Sequence, residues 1–151
     1  MSQELSELEE LAAALLAQLG PAEQRRKARE IGQALRRSQR QRIAAQRNPD
    51  GTAFAKRKPR NLRGKAGRIK RSMFAKLRTA KYLKTRVDGQ GVEVGFYGRV
   101  ARIARVHQEG ARDQVERGGP VVAYAQRRLL GFSALDLDRI RETLFAGLRS
   151  P

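Results

Sequence analysis

Between residues 24 and 78 the chain places 20 Lys and Arg residues and only two acids, Glu30 and Asp50. A stretch of that sign cannot be folded into an interior, because a charge buried without a partner costs several kcal/mol. It must lie as a one-sided helix, as an open loop, or against an anionic partner. The flanks differ in kind. Residues 1–23 hold five carboxylates (Glu4, Glu7, Glu9, Glu10, Glu23) and no base, while residues 79–151 hold 13 bases and 8 acids. The net charge of the 151 residues is +18, so the central block carries as much positive charge as the whole excess. Its partner is a nucleic acid, an acidic protein surface or a membrane. A membrane is disfavoured, since the basic stretch offers a weak apolar face and few large anchors.

The apolar residues around this block set the fold. Leu5, Leu8, Ala12, Leu15 and Leu19 recur at helical spacing. Gly20 can close that helix in a left-handed conformation, and Pro21 suits the first turn of the next. A second helix is expected over about 22–46, with Ala28, Ile31, Leu35 and Ile43 on one side. Its stripe is thin and is interrupted by Ser38 and Gln39, so incomplete packing within the subunit is expected. Asn48-Pro49-Asp50-Gly51 is a turn cluster. Residues 48–67 have few large apolar side chains beyond Phe54 and Leu62, which predicts a long, flexible basic loop. A third helix is expected over 69–78, with Ile69, Met73 and Leu77 on one side.

The period then changes from helical to alternating. Leu83, Thr85 and Val87, a turn at Asp88–Gly91, and Val92, Val94 and Phe96 predict a β-hairpin over about 81–97. Helices follow at about 99–108, closed by Gly110, and at about 134–148. Residues 111–120 read as a polar loop and 121–124 as a third strand. Ser133 and Asp136 have the spacing of a capping box. The fold class is therefore α+β, with long N-terminal helices and a small antiparallel sheet. The expected division is an N-terminal helical region (1–47, acidic first helix, basic second helix), the basic loop (48–67) and an α+β core (68–151).

Catalytic chemistry finds little purchase. The chain has no Cys, which excludes disulfides, thiolate zinc sites and Cys nucleophiles and fits a reducing compartment. Its one His, His107, shares a predicted helix with Val100, Ile103 and Ala104 and reads as a packed structural residue. The acid pairs Glu9/Glu10 and Asp136/Asp138 fall on or near helix termini, where the macrodipole favours some of them. Gly64-Lys65 is followed by Ala66 and preceded at the required Gly position by Pro59, so it is no phosphate loop. No apolar run approaches the roughly 18 residues of a membrane span, and the acidic N-terminus is unlike a signal peptide. Synthesis and use in a cytosol are expected. Only Phe54, Phe74 and Tyr82 lie among or just after the bases, so stacking platforms for bases are few.

Four segments carry a resemblance. They are AREIGQALRRSQRQR at 28–42 running on to NPDGTAFAKRKPR at 48–60, RIKRSMFAKLRTAKYLK at 68–84, VGFYGRVARIARVHQEG at 94–110, and GGPVVAYAQRRLLGFSALDLDRIRETL at 118–144. In this order they resemble the virion morphogenesis, or tail-completion, family of tailed bacteriophages, both contractile-tailed temperate and Mu-like. Glu109 and Ala125 depart from the pattern, standing where an aromatic residue and a Pro are expected.

The resemblance implies a structural protein of the virion, assembled in the host cytoplasm, that completes tails and joins them to heads. It implies a neck or tail-terminator ring, with a hexamer favoured, and tail, neck or connector proteins as partners. It implies no cofactor, metal or catalytic residue. Candidate assembly contacts are the bases Arg36, Arg37 and Arg40 of the second helix and Phe54, Lys56, Arg57, Lys58, Arg60, Arg63 and Lys65 of the loop. The competing reading is a basic nucleic-acid-binding protein of capsid assembly or DNA packaging, and non-specific contact with packaged DNA fits both.

Overall fold

The computed structural model describes residues 2–57, 72–89, 91–114 and 116–146. Its described elements, in order, are α1 (Ser2–Leu16), α2 (Pro21–Ala44), β1 (Leu83–Asp88), β2 (Gly91–Phe96), a 3-10 turn (Gly98–Val100), α3 (Ala101–Glu109), β3 (Arg112–Gln114), β4 (Val121–Ala123) and α4 (Ala134–Ala146). The α+β class holds. The chain forms two compact units that interleave in sequence: one takes Met1–Ser38, Lys84–Gly95 and Phe132–Pro151, the other Gln39–Leu83 and Phe96–Gly131.

In the first unit α1 lays its Leu stripe on α4. Leu8, Leu137 and Leu144 are buried, and Leu5, Ala12, Leu15, Ile31, Phe132 and Ile140 pack around them. α1 does not end through Gly20 as expected, for Gly20 is absent from the left-handed glycines. The amide of Gln24 instead donates to the carbonyls of Leu16 (2.7 Å) and Leu19 (2.9 Å), supplying the donors that the helix end lacks. Pro21 opens α2 as its geometry favours. The predicted capping box is formed at α4. Ser133 N–H donates to the Asp136 carboxylate (3.0 Å) and Asp136 N–H donates to Ser133 Oγ (3.1 Å). At the other end of α4, buried Lys27 donates from Nζ to the Thr143 carbonyl (2.6 Å), a cation placed where the macrodipole favours it.

The interruption at Ser38 and Gln39 is not a gap in packing. Ser38 donates its hydroxyl to the buried Asp136 carboxylate. In the second unit Gln39, also buried, brackets one peptide group: its Nε2 donates to the Gly131 carbonyl (2.8 Å) and its Oε1 accepts from Gly131 N–H (3.2 Å).

The second unit is built on Ile43, Phe54, Ala104 and Leu129, with Met73, Phe74, Leu77 and Phe96 packed against them. α2 ends where Gln46 turns left-handed (φ 59°). A non-Gly residue there costs about 1–2 kcal/mol, and Gln46 offsets it with its side chain. Nε2 donates to the carbonyls of Ile43 (2.7 Å) and Met73 (2.9 Å), and Oε1 accepts from Met73 N–H (2.9 Å). α3 ends on left-handed Gly110 (φ 65°), as expected.

Three expectations are corrected in detail. The described part of the predicted 69–78 helix, residues 72–78, is a series of turns, and residues 69–71 lie outside the described residues. Phe74 has φ 64°, which no right-handed helix admits, and its ring stands edge-on to Phe54 (5.8 Å) and His107 (4.8 Å). Aromatic packing overrides helical spacing there. The third strand exists as β4, but it joins no sheet with the hairpin. It pairs antiparallel with β3, Arg112 facing Ala123 and Gln114 facing Val121, so residues read as polar loop supply a strand. Finally, residues 48–57 are not loosely held. Asn48 N–H donates to the Thr52 carbonyl (2.8 Å), Arg47 bridges Ala53, and Phe54 is 5% exposed. Leu62 and the rest of the expected loop lie outside the described residues.

Within the first unit Gly32 of α2 faces the hairpin. A Cβ there would stand 2.5 Å from Val92 Cγ2 and 3.4 Å from Thr85 Cγ2. Both neighbours are β-branched and stiff, so they yield poorly. Gly32→Ala sets a helix-propensity gain of about 1 kcal/mol against an overpacking cost of about 1–3 kcal/mol. The expected net result in urea unfolding is a loss of up to about 2 kcal/mol. Adding Val92→Ala, which vacates the space, should return part of it; a stabilised single variant would contradict this packing.

Candidate assembly interface

The interface candidates distribute over both units. In the first, Arg37 is exposed and Arg36 half-buried on α2. In the second, Arg40 is exposed on α2, and Lys56 and Arg57 are exposed after Phe54. Phe54 is a core residue and offers no surface of its own. Lys58, Arg60, Arg63 and Lys65 lie outside the described residues.

The start of the basic run is fixed by a residue the sequence did not single out. Arg127, 5% exposed, donates from Nε to the Ala55 carbonyl (2.7 Å) and from Nη2 to the Lys56 carbonyl (3.0 Å). Its backbone N–H donates to the His107 carbonyl (2.8 Å), and its Nη1 stands 3.2 Å from His107 Nδ1. Burial, and then the nearby Arg57, hold the Arg127 guanidinium below its ordinary range. Nothing in the sequence marks this residue among 25 arginines.

Arg127 also fixes the state of the chain's one imidazole. A guanidinium can only donate, so Nδ1 must accept and the ring carries its proton on Nε2. Burial first, and the Arg127 charge second, lower the His107 pKa from 6.5 to about 4. The ring sits edge-on between Phe74 (4.8 Å) and Tyr124 (5.0 Å). His107 is thus a packed acceptor, as its helical neighbours suggest. Among the described residues no three His, Asp or Glu side chains stand together as a metal-ligand set, and no helix is long and apolar enough to cross a membrane.

Two nearby carboxylates are also engaged. The Asp50 carboxylate accepts from Thr52 and the Asp113 carboxylate from Arg102, and these bonds hold both below the usual carboxylate range. Asn48 Oδ1 accepts from Arg128 N–H (2.8 Å), so the turn before the basic run is anchored as well. These bonds hold the backbone at Ala55 and Lys56, where the exposed cations Lys56 and Arg57 follow buried Phe54.

Residues 3–149 match the model of the phage virion morphogenesis family. The chain belongs to that family. Among its curated relatives is the tail completion protein S of Escherichia phage P2, 38% identical over 146 residues, which spans 96% of this chain and 97% of that protein. No solved structure matches. The four segments that carried the resemblance all lie inside the matched span. For this member of the family, the Arg127 clasp and the packed His107 are the features that hold the base of the basic run in place.

Protonation of His107 would set two cations against each other and should loosen this base. Because the folded-state pKa is depressed, the unfolded chain binds more protons between pH 6.5 and about 4, so stability falls as pH drops through that window. Relative to His107→Gln, which does not titrate, wild type should lose about 1–2 kcal/mol across it, allowing for the ring's partial exposure. Parallel pH profiles for the two proteins in urea unfolding would contradict the assignment.

Proposed function

We propose that this protein completes the tail of a tailed bacteriophage and acts at the head–tail joint as a subunit of a neck or tail-terminator ring, with a hexamer favoured. The observation that carries the reading is the near full-length relationship to a tail completion protein. The chemistry is consistent with an assembly role, since His107 and buried Asp136 are engaged in structural bonds. The protein would be a virion component assembled in the host cytoplasm, working without a cofactor and without catalysis. Its partners would be tail, neck or connector proteins that present acidic surfaces.

Electron microscopy of lysates in which this one gene is disrupted tests the placement. Filled heads beside separate or misfinished tails are expected. Empty or missing heads with normal tails would instead favour capsid assembly or DNA packaging, a reading that the +18 charge also fits. That second reading also predicts DNA affinity falling about 10³–10⁵-fold between about 50 and 200 mM salt if roughly 6–10 phosphates are neutralised.

The contact element would be the basic run Lys56–Lys65, working from its clasped base. Replacing Lys56, Arg57, Lys58, Arg60, Arg63 and Lys65 by Gln leaves Phe54 and the Arg127 clasp in place. The expected outcome is a protein that unfolds like wild type but restores infectious particles to a disrupted phage at least tenfold less well. Full complementation would remove the run from the interface.

A further inference from the structure

Two opposite charge faces of the first unit lie exposed without ion pairs among the described residues, Glu7 accepting only from the Gln3 amide (3.3 Å). On α1, Glu4, Glu7 and Glu10 are exposed, and no ion pair reaches them among the described residues. On α2, Arg25, Arg29 and Arg37 are exposed and equally unpaired, whereas neighbouring Arg26 is bound to Glu23 (2.8 Å). Arg25, Arg29 and Arg37 lie along one i, i+4 row, a ridge about 18 Å long at about 1.5 Å per residue that winds about a third of a turn around α2. The acids span about 9 Å on the same scale and fit within it.

Only residues 17–20 separate the two helices, so cis pairing would be the cheapest solution, yet the structure makes none. The Leu stripe of α1 is committed to α4, and this turns the carboxylates outward. Each copy therefore displays an anionic helix face and a cationic helix face at once.

We propose that the acidic face of α1 docks on the Arg25–Arg29–Arg37 ridge of a second copy of this chain. Such a contact is heterologous: different surfaces of the two copies meet, and repetition gives a ring where the rotation closes and a filament where it does not. A nucleic acid is the poorer occupant. Phosphates drawn to the ridge would share the unit with the carboxylates of α1, which repel them. The contact is solvent-exposed and made of charges, so it is reversible and sensitive to salt, because screening shortens the reach of exposed charges to about 8 Å near 0.15 M. It deepens the ring reading given above and rests on it.

The test uses the full chain in sedimentation velocity at about 50 and about 500 mM salt, conditions that bracket strong and weak screening. Wild type should associate at low salt and dissociate at high salt. Glu7→Lys with Glu10→Lys, and separately Arg29→Glu with Arg37→Glu, should each weaken association at least tenfold, with circular dichroism unchanged because all four positions are exposed. Association should return when the two variants are mixed, and when all four changes are combined in one chain. A monomeric wild type at low salt, or a four-change chain no better than its parents, overturns the proposal. Loss of association on ridge reversal but not on acid reversal also overturns it, since the ridge then meets something other than α1. Tail defects in the disrupted phage together with a failed charge swap would leave the tail reading standing and remove this contact alone.

Discussion

The structure depends on polar side chains of α2, and of Gln46 just beyond its end, reaching backbone and carboxylate groups far away in sequence. Lys27 holds the Thr143 carbonyl and Ser38 the Asp136 carboxylate in one unit. In the other, Gln39 holds the Gly131 peptide, Arg42 donates to the carbonyls of Arg128 (3.0 Å) and Leu129 (2.9 Å), and Gln46 holds Met73. A chain with 5% aromatic residues has limited apolar bulk to bury. Satisfied polar contacts then take over part of the task of choosing one arrangement, because a buried donor left unpaired costs about 1–3 kcal/mol. The segments so gripped, 128–131 and 133–143, carry little regular structure or a single short helix, and the bonds from α2 are what locate them.

This explains which parts of the fold could be read from sequence. The hairpin, α1, α3 and α4 follow from apolar spacing, and the α4 cap from Ser133 and Asp136 three apart. α2 was found, yet its inner face was misjudged. Lys27, Ser38 and Arg42 stand at helical spacing with Ile31 and Leu35, but a count of apolar residues sees only Ala28, Ile31, Leu35 and Ile43 and reports a thin stripe. Residues 72–78 failed for another reason. Met73 and Leu77 do pack inward, but the ring of Phe74 is captured by Phe54 and His107, and a left-handed backbone is what puts it there. The pairing of 112–114 with 121–123 was invisible, since Arg-Asp-Gln carries no strand signal and its register is set by a partner strand and by Arg102 on Asp113.

The candidate interface was legible as charge and not as geometry. The basic run and the arginines of α2 stand out from composition alone. Their support does not: Arg127 is one arginine among many, and a buried arginine and an exposed one look alike in a sequence. The packed state of His107 followed from its helical neighbours, whereas the donor that fixes its tautomer lies 20 residues away.

The Arg127 clasp grips the carbonyls of Ala55 and Lys56, atoms that every amino acid possesses, proline included. The side chains at those two positions are exposed and contribute nothing to the grip. Anchorage and surface chemistry are thereby uncoupled at the point where the basic run begins. Substitution at 55 and 56 can change the size, charge or shape offered to a partner while the attachment stays put. A phage adapting to a new partner would meet little folding penalty in revising this part of its surface.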